Sequence, residues 1–276
     1  MVWRPFSPDS VLVSWRQVVP TSFTLAAMLM GFLSILMTIQ GMVSSADPCW
    51  FFRWSAKLIM LAMIFDGIDG NLARWLKGES EFGGELDTYV DLTAFGIAPA
   101  VLVFAVTLTH KDPFWRVLLP SCVALSGVVR LARFKVKDPL RGQGGYAGLP
   151  ITANAAWVAL FVFITLVQPR EELTGRLGVW FLVGIVVFIS LQVTTFHYPK
   201  PTKSAALFVP CIILVAMFLF APRPWNARVA IAMIAIGLVY VIFGPLFVKG
   251  MQARRARKEA EAREAGAGKL PEPGGT

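Results

Sequence analysis

Four aspartates carry the chemistry this chain offers. Asp66 and Asp69 are three residues apart and Asp87 and Asp91 four apart, so on helices each pair lies on one face, separated by one turn. They sit in the segment FDGIDGNLARWLKGESEFGGELDTYVDLTAFGIAP, Phe65 to Pro99, in or at the ends of apolar stretches. An aspartate at the centre of a membrane-spanning helix costs about 2.5–3.5 kcal/mol on insertion scales. Four such residues therefore point to function. Two adjacent helices joined by a short loop can aim all four at one point, where they repel one another unless cations lie between them. Oxygen-only ligands favour hard ions such as Mg²⁺, Mn²⁺ or Ca²⁺.

The residues around the first pair define what the ions would meet. Gly70 and Ala73 continue the stripe at four and seven residues after Asp66, and small side chains there leave the helix surface open to a bulky group. Arg74 follows at once, and a guanidinium suits phosphate oxygens. Metals, a small-residue groove and an arginine together describe a diphosphate site.

The elements that must position these groups are membrane helices. Of the 276 residues, 56% are hydrophobic and only 16% charged, with a mean hydropathy of +0.63, well below the charged fraction of a soluble domain. Apolar stretches long enough to span fall near 20–41, 55–75, 84–109, 114–135, 150–168, 177–196, 204–221 and 227–248. The expected fold is an all-α, polytopic bundle of about eight transmembrane helices. Residues 1–19 form an interfacial amphipathic segment anchored by Trp15, 20–248 one transmembrane catalytic domain, and 249–276 a charged tail whose glycine- and proline-rich end is disordered. The first apolar stretch exceeds the core of a secretory signal.

The net charge of +9 does not indicate nucleic acid, because the basic residues are scattered between apolar segments with no interleaved aromatic face. They speak to topology. With a cytoplasmic N-terminus and eight spans, 18 of the 26 basic residues fall on the cytoplasmic side, as the positive-inside rule requires. Both termini and the aspartate site are then expected at the cytoplasmic face. Cys49, Cys122 and Cys211 have no metal-site or disulfide spacing and read as small apolar residues. His197 reads as a surface residue, and His110 falls on the opposite side. Gly142, Gly144, Gly145 and Gly148 form a flexible loop leading to Pro150, which is placed to start the next helix.

The pattern Asp66-x2-Asp69-Gly70-x2-Ala73-Arg74-x8-Gly83-x3-Asp87-x3-Asp91 resembles the full signature of the CDP-alcohol phosphotransferases. The resemblance implies that Asp66, Asp69 and Asp87 ligate a two-metal centre of Mg²⁺ or Mn²⁺. Asp91 would complete the cluster and act as the base toward the acceptor alcohol. Gly70, Ala73, Arg74 and Gly83, with Thr24 on the first helix, would line the CDP site. The family has a six-helix core, an active site open to lipid near the cytoplasmic face, and commonly a homodimeric assembly.

Further stretches, GGELDTYVDLTAFGIAPA, RLARFKV at 130–136, YAGLP at 146–150 and FHYPK at 196–200, resemble the CDP-diacylglycerol:serine O-phosphatidyltransferase branch. That branch implies CDP-diacylglycerol and serine as substrates, with phosphatidylserine and CMP as products. A serine carboxylate needs a cation, and Arg130 and Arg133, three apart near the end of the fourth helix, are the candidates. Departures occur at Ala27, Asn71 and Lys135, where the branch carries Asn, a basic residue and Asn. Other acceptors within the family are glycerol 3-phosphate, inositol phosphate or choline, and the lipid backbone could be of the archaeal type. A cation transporter is the reading from a different class, but it expects carboxylates near the midplane on broken helices, without an adjoining arginine.

Overall fold

The computed structural model describes residues 14–45, 47–107, 113–136, 145–166, 176–199, 205–222 and 224–267. Helix α1 spans Trp15–Val43, α2 Pro48–Leu76, α3 Glu81–Asp91 and α4 Ala98–Thr107. A π-helical stretch, Leu92–Ile97, joins α3 to α4. Helix α5 spans Pro113–Val136, α6 Ile151–Thr165, α7 Arg176–Val193, α8 Ala205–Phe220 and α9 Trp225–Ala267. Since α3, the π turn and α4 form one continuous 27-residue rod, the helices coincide with the eight expected from hydropathy.

Among the described residues, Trp15–Val43, Glu81–Thr107, Pro113–Val136 and Trp225–Gly250 are long and apolar enough to cross a membrane. Shorter apolar helices at Ile151–Thr165, Gly178–Val193 and Val209–Phe220 accompany them. Helix α2 is as long as α1, at 29 residues, and carries Arg53, Lys57, Asp66 and Asp69 along its length. Trp15 already stands in the first turn of α1, while residues 1–13 of the expected interfacial segment lie outside the described residues. Helix α9 continues through the charged run to Ala267, and the end of the tail also lies outside them. His110 and residues 137–144, with Gly142 and Gly144, do too. The three cysteines are free.

Local sequence fixes the boundaries that matter for the site. Asp47 caps α2, accepting from the Trp50 amide, with Pro48 at the first helical position, where its missing N–H costs nothing. Lys77 ends α2 in a left-handed conformation at φ 53°. Ser80 then caps α3 through the Gly83 amide at 3.0 Å. In the link between them, Lys77 to Ser80, Gly78 lies against α1 so closely that a Cβ there would sit 2.0 Å from the Arg16 carbonyl oxygen. The turn between the two aspartate helices is thus seated on the first turn of α1.

Helix α1 buries a stripe of small residues, Ala27, Gly31, Ser34, Thr38 and Gly41. Small side chains allow close backbone approach where apolar burial alone gives no drive in lipid. Ser55 of α2 sits between Ser34 and Thr38 at 2.8 and 2.7 Å. Gly31 meets the π turn, where a Cβ would lie 2.6 Å from Ala94 Cα. Both aspartate helices are therefore registered against α1.

One element interrupts the helical pattern. Residues Gly145–Ala147 (β1) and His197–Pro199 (β2) pair antiparallel, with Tyr146 opposite Tyr198. Gly148 follows at φ +81°, donating from its amide to Phe196 O at 2.7 Å, in a backbone region that favours glycine. The glycine-rich connection is anchored from Gly145 onward, so it is not a free loop there. The ribbon ties the α5–α6 connection to the α7–α8 connection, and the Tyr240 hydroxyl of α9 donates to Pro199 O at 2.9 Å. Pro150 stands at the N-cap of α6, as expected. His197 is half-buried in the ribbon.

Candidate active site

Asp66, Asp69 and Asp87 converge, with one carboxylate oxygen from each lying within 4.8 Å of the others. The geometry follows from the spacing read in the sequence. Asp66 and Asp69 stand one turn apart on α2, and Asp87 faces them from α3 because the seated turn at Gly78 brings the helices together. Asp69 is the most enclosed, at 5% exposure. Thr24 lines the same cleft, its hydroxyl donating to Pro20 O at 3.2 Å, and among the described residues Asp69 Oδ2 is buried with no hydrogen-bond partner. A buried carboxylate oxygen left without a donor, beside two further carboxylates, matches the donor set a hard divalent cation requires.

Two clefts meet at this triad. The first, of about 260 Å³, includes Thr24 of α1, Gly70, Ala73 and Arg74 of α2, and Gly83 of α3. Every residue expected to hold CDP is therefore on one wall or another of a single space. Gly70 gives it an open floor, since a Cβ there would meet no atom within 4 Å. Arg74 is held in place by Asn71, whose Oδ1 accepts from Arg74 Nη2 at 2.8 Å while its Nδ2 donates to Gly67 O at 2.7 Å. Gln17, Thr21, Glu79 and Ser80 also line this cleft.

The second cleft, of about 230 Å³, shares Asp69, Gly70, Arg74 and Asp87 with the first. It adds Asp66, Asp91, Arg130 and the start of α6, Pro150 to Thr152. Asp91 stands one turn beyond Asp87 and outside the close triad. Arg130 is 7% exposed, a guanidinium enclosed beside carboxylates.

The two candidate arginines part company here. Arg133 is not among the residues lining either cleft. Its Nη1 donates to Val193 O at 2.9 Å and Thr194 O at 3.1 Å, satisfying carbonyls at the C-terminal end of α7. Three residues on a helix leave the two side chains about 60° apart around the axis and nearly one turn apart along it, and the long guanidinium arms do the rest, one entering the cleft and the other reaching α7. Lys135 pairs with Glu85 of α3, and this bond bridges α5 to the helix that carries Asp87.

Gln17, Gly78, Asn71 and the α6 start also shape the site, without being legible in the sequence as site residues. Only Asn71 left a trace, its three-residue spacing from Arg74, which is the interval of a helical side-chain pair. The others reach the site through tertiary contacts.

A helical membrane protein with three carboxylates between an arginine-bearing cleft and a second charged cleft has the organisation of a metal-dependent group-transfer enzyme. The family model for CDP-alcohol phosphatidyltransferase matches residues 17–194, and the chain belongs to that family of transferases. It is 29% identical to the CDP-diacylglycerol–serine O-phosphatidyltransferase of Helicobacter pylori over 230 residues, 82% of this chain and 88% of that one. The Mycobacterium leprae protein of the same name is 29% identical over 252 residues, 89% of this chain and 73% of the other. An archaetidylserine synthase from Methanothermobacter thermautotrophicus is 30% identical over 175 residues, 62% and 64% of the two chains.

Proposed function

We propose that the chain transfers the phosphatidyl group of CDP-diacylglycerol to the hydroxyl of serine, releasing CMP and forming phosphatidylserine. The observation that carries this reading is the meeting of two charged clefts at one carboxylate triad, one with an open glycine floor and Arg74, the other with Asp91 and Arg130. Relatives named for serine transfer on both diacylglycerol and archaeal lipids support serine as the shared acceptor. Diacylglycerol is favoured as the lipid because it belongs to the relatives that match over most of this chain.

In this reading Asp66, Asp69 and Asp87 hold two divalent ions, Mg²⁺ or Mn²⁺, with Asp91 bordering them on the acceptor side. Held there, the ions would supply charge neutralisation of the diphosphate and of the departing CMP. Thr24, Gly70, Ala73 and Gly83 receive the nucleotide, and Arg74, oriented by Asn71, pairs with phosphate oxygens. Arg130 takes the serine carboxylate and turns the hydroxyl toward Asp91. Asp91 accepts the hydroxyl proton as the serine oxygen bonds to the lipid-bearing phosphorus, and the bond from that phosphorus to the CMP oxygen breaks. Positioning two reactants from opposite clefts supplies much of the rate. Residues 20–248 act as one catalytic domain, with the site on the cytoplasmic face and the protein a homodimer.

The test is product analysis. Purified protein with CDP-diacylglycerol and Mn²⁺ is given serine, glycerol 3-phosphate, inositol phosphate or choline in turn, and the lipid products are separated. Phosphatidylserine formed from serine alone is the expected result. A product from another alcohol in its place discards the serine assignment and keeps the chemistry.

A further inference from the structure

The second charged feature of the bundle lies at its other end. Thr107 of α4, Trp115 and Leu119 of α5, and Val183, Val186 and Val187 of α7 line an apolar groove of about 430 Å³, with Arg116 beside them. Arg116 Nε is buried and, among the described residues, has no hydrogen-bond partner. A charged donor in that condition is destabilising unless an acceptor reaches it. Arg116 and Arg130 are fourteen residues apart on α5, about 21 Å along the helix axis. The groove is therefore distinct from the catalytic clefts and lies toward the opposite membrane face.

We infer that this groove binds one anionic phospholipid, its phosphate on Arg116 and an acyl chain along the valine face of α7. Depth supports the match. Phe114 and Trp115 immediately precede the arginine and are 62% and 53% exposed, as aromatic side chains at the headgroup level are. Val183 to Val187 lie seven to eleven residues into α7, about 10–16 Å along it, where hydrocarbon begins. A phosphodiester offers a guanidinium two oxygens in its own plane, whereas an apolar helix of a second copy would cover the groove and leave Nε without an acceptor.

The test is native mass spectrometry of the full chain released from detergent micelles, titrated with dioleoyl phosphatidylglycerol or with dioleoylglycerol, which lacks the phosphate. Arg116→Gln removes the charge. Val186→Trp fills the groove and leaves the arginine in place, and circular dichroism reports whether each variant is folded. Wild type is expected to retain one phosphatidylglycerol that either variant binds about tenfold more weakly or worse, with no matching retention of dioleoylglycerol. Equal phosphatidylglycerol retention by wild type and both variants overturns the inference, and so does equal retention of the two lipids. A dimer-to-monomer change in Val186→Trp with lipid retention unaltered also overturns it, assigning the groove to a second copy.

Discussion

Replacing Asp69 with Asn should make the metal-free protein more stable and abolish its response to metal. In the triad, two carboxylate oxygens within 4.8 Å of each other repel by about 3.5 kcal/mol or more at an effective dielectric of about 20. Asp69→Asn removes two of the three pairs. Asp66 and Asp87 are half-buried, and solvent screening brings the net relief to roughly 2–4 kcal/mol. The amide is nearly isosteric with the carboxylate, so little else is lost. For a chain of this size that relief raises the unfolding midpoint in chelator by roughly 5–10 °C. Wild type should instead gain about 2.7 kcal/mol from Mn²⁺ at a hundred times its dissociation constant, and the variant almost nothing. Thermal unfolding in detergent, followed by tryptophan fluorescence with chelator and with Mn²⁺, reads both effects. A variant that is destabilised in chelator, or that keeps the full Mn²⁺ shift, would refute the reasoning.

Gly70→Val should fold normally, because the added carbons enter open space, yet weaken CMP binding at least about tenfold by filling the cleft floor. Calorimetric titration with CMP and the unfolding midpoint together check this. Asp91→Asn should bind CDP-diacylglycerol as wild type does and lose turnover by about two orders of magnitude or more, read by equilibrium binding beside single-turnover CMP release. Arg130→Lys should raise the Michaelis constant for serine by about tenfold with a smaller change in kcat. Arg133→Gln should leave that constant unaltered and lower stability by about 1–3 kcal/mol, because it frees two carbonyls at the end of α7. Equal effects of the two arginine substitutions on serine would contradict the separation seen in the structure.

Much of the architecture was legible because it rests on local pattern. The eight apolar stretches needed only length and hydropathy, and the aspartate pairs needed only helical spacing. Asp66, Asp69 and Asp87 meet as those intervals require, and Gly70, Ala73, Arg74, Gly83 and Thr24 share one cleft. What escaped depends on contacts between distant segments. Gly78 shows its purpose only against the Arg16 carbonyl, sixty-two residues earlier. The ribbon joins Tyr146 to Tyr198, two motifs noticed separately, and its strands of three residues are too short to leave an alternating signature. The π turn after Asp91 rotates the following helix without any residue type that announces it. Arg130 and Arg133 looked equivalent in sequence, and only the direction of each side chain separates the cleft from the α7 carbonyls.

On the proposed mechanism, one carboxylate junction passes the phosphatidyl group directly from nucleotide to alcohol. The most direct test is single-turnover CMP release from CDP-diacylglycerol by enzyme in excess, with and without serine, in Mn²⁺ and in chelator. Stoichiometric CMP and phosphatidylserine are expected only when serine and metal are both present. A stoichiometric burst of CMP in Mn²⁺ without serine, or undiminished release in chelator, would contradict this mechanism.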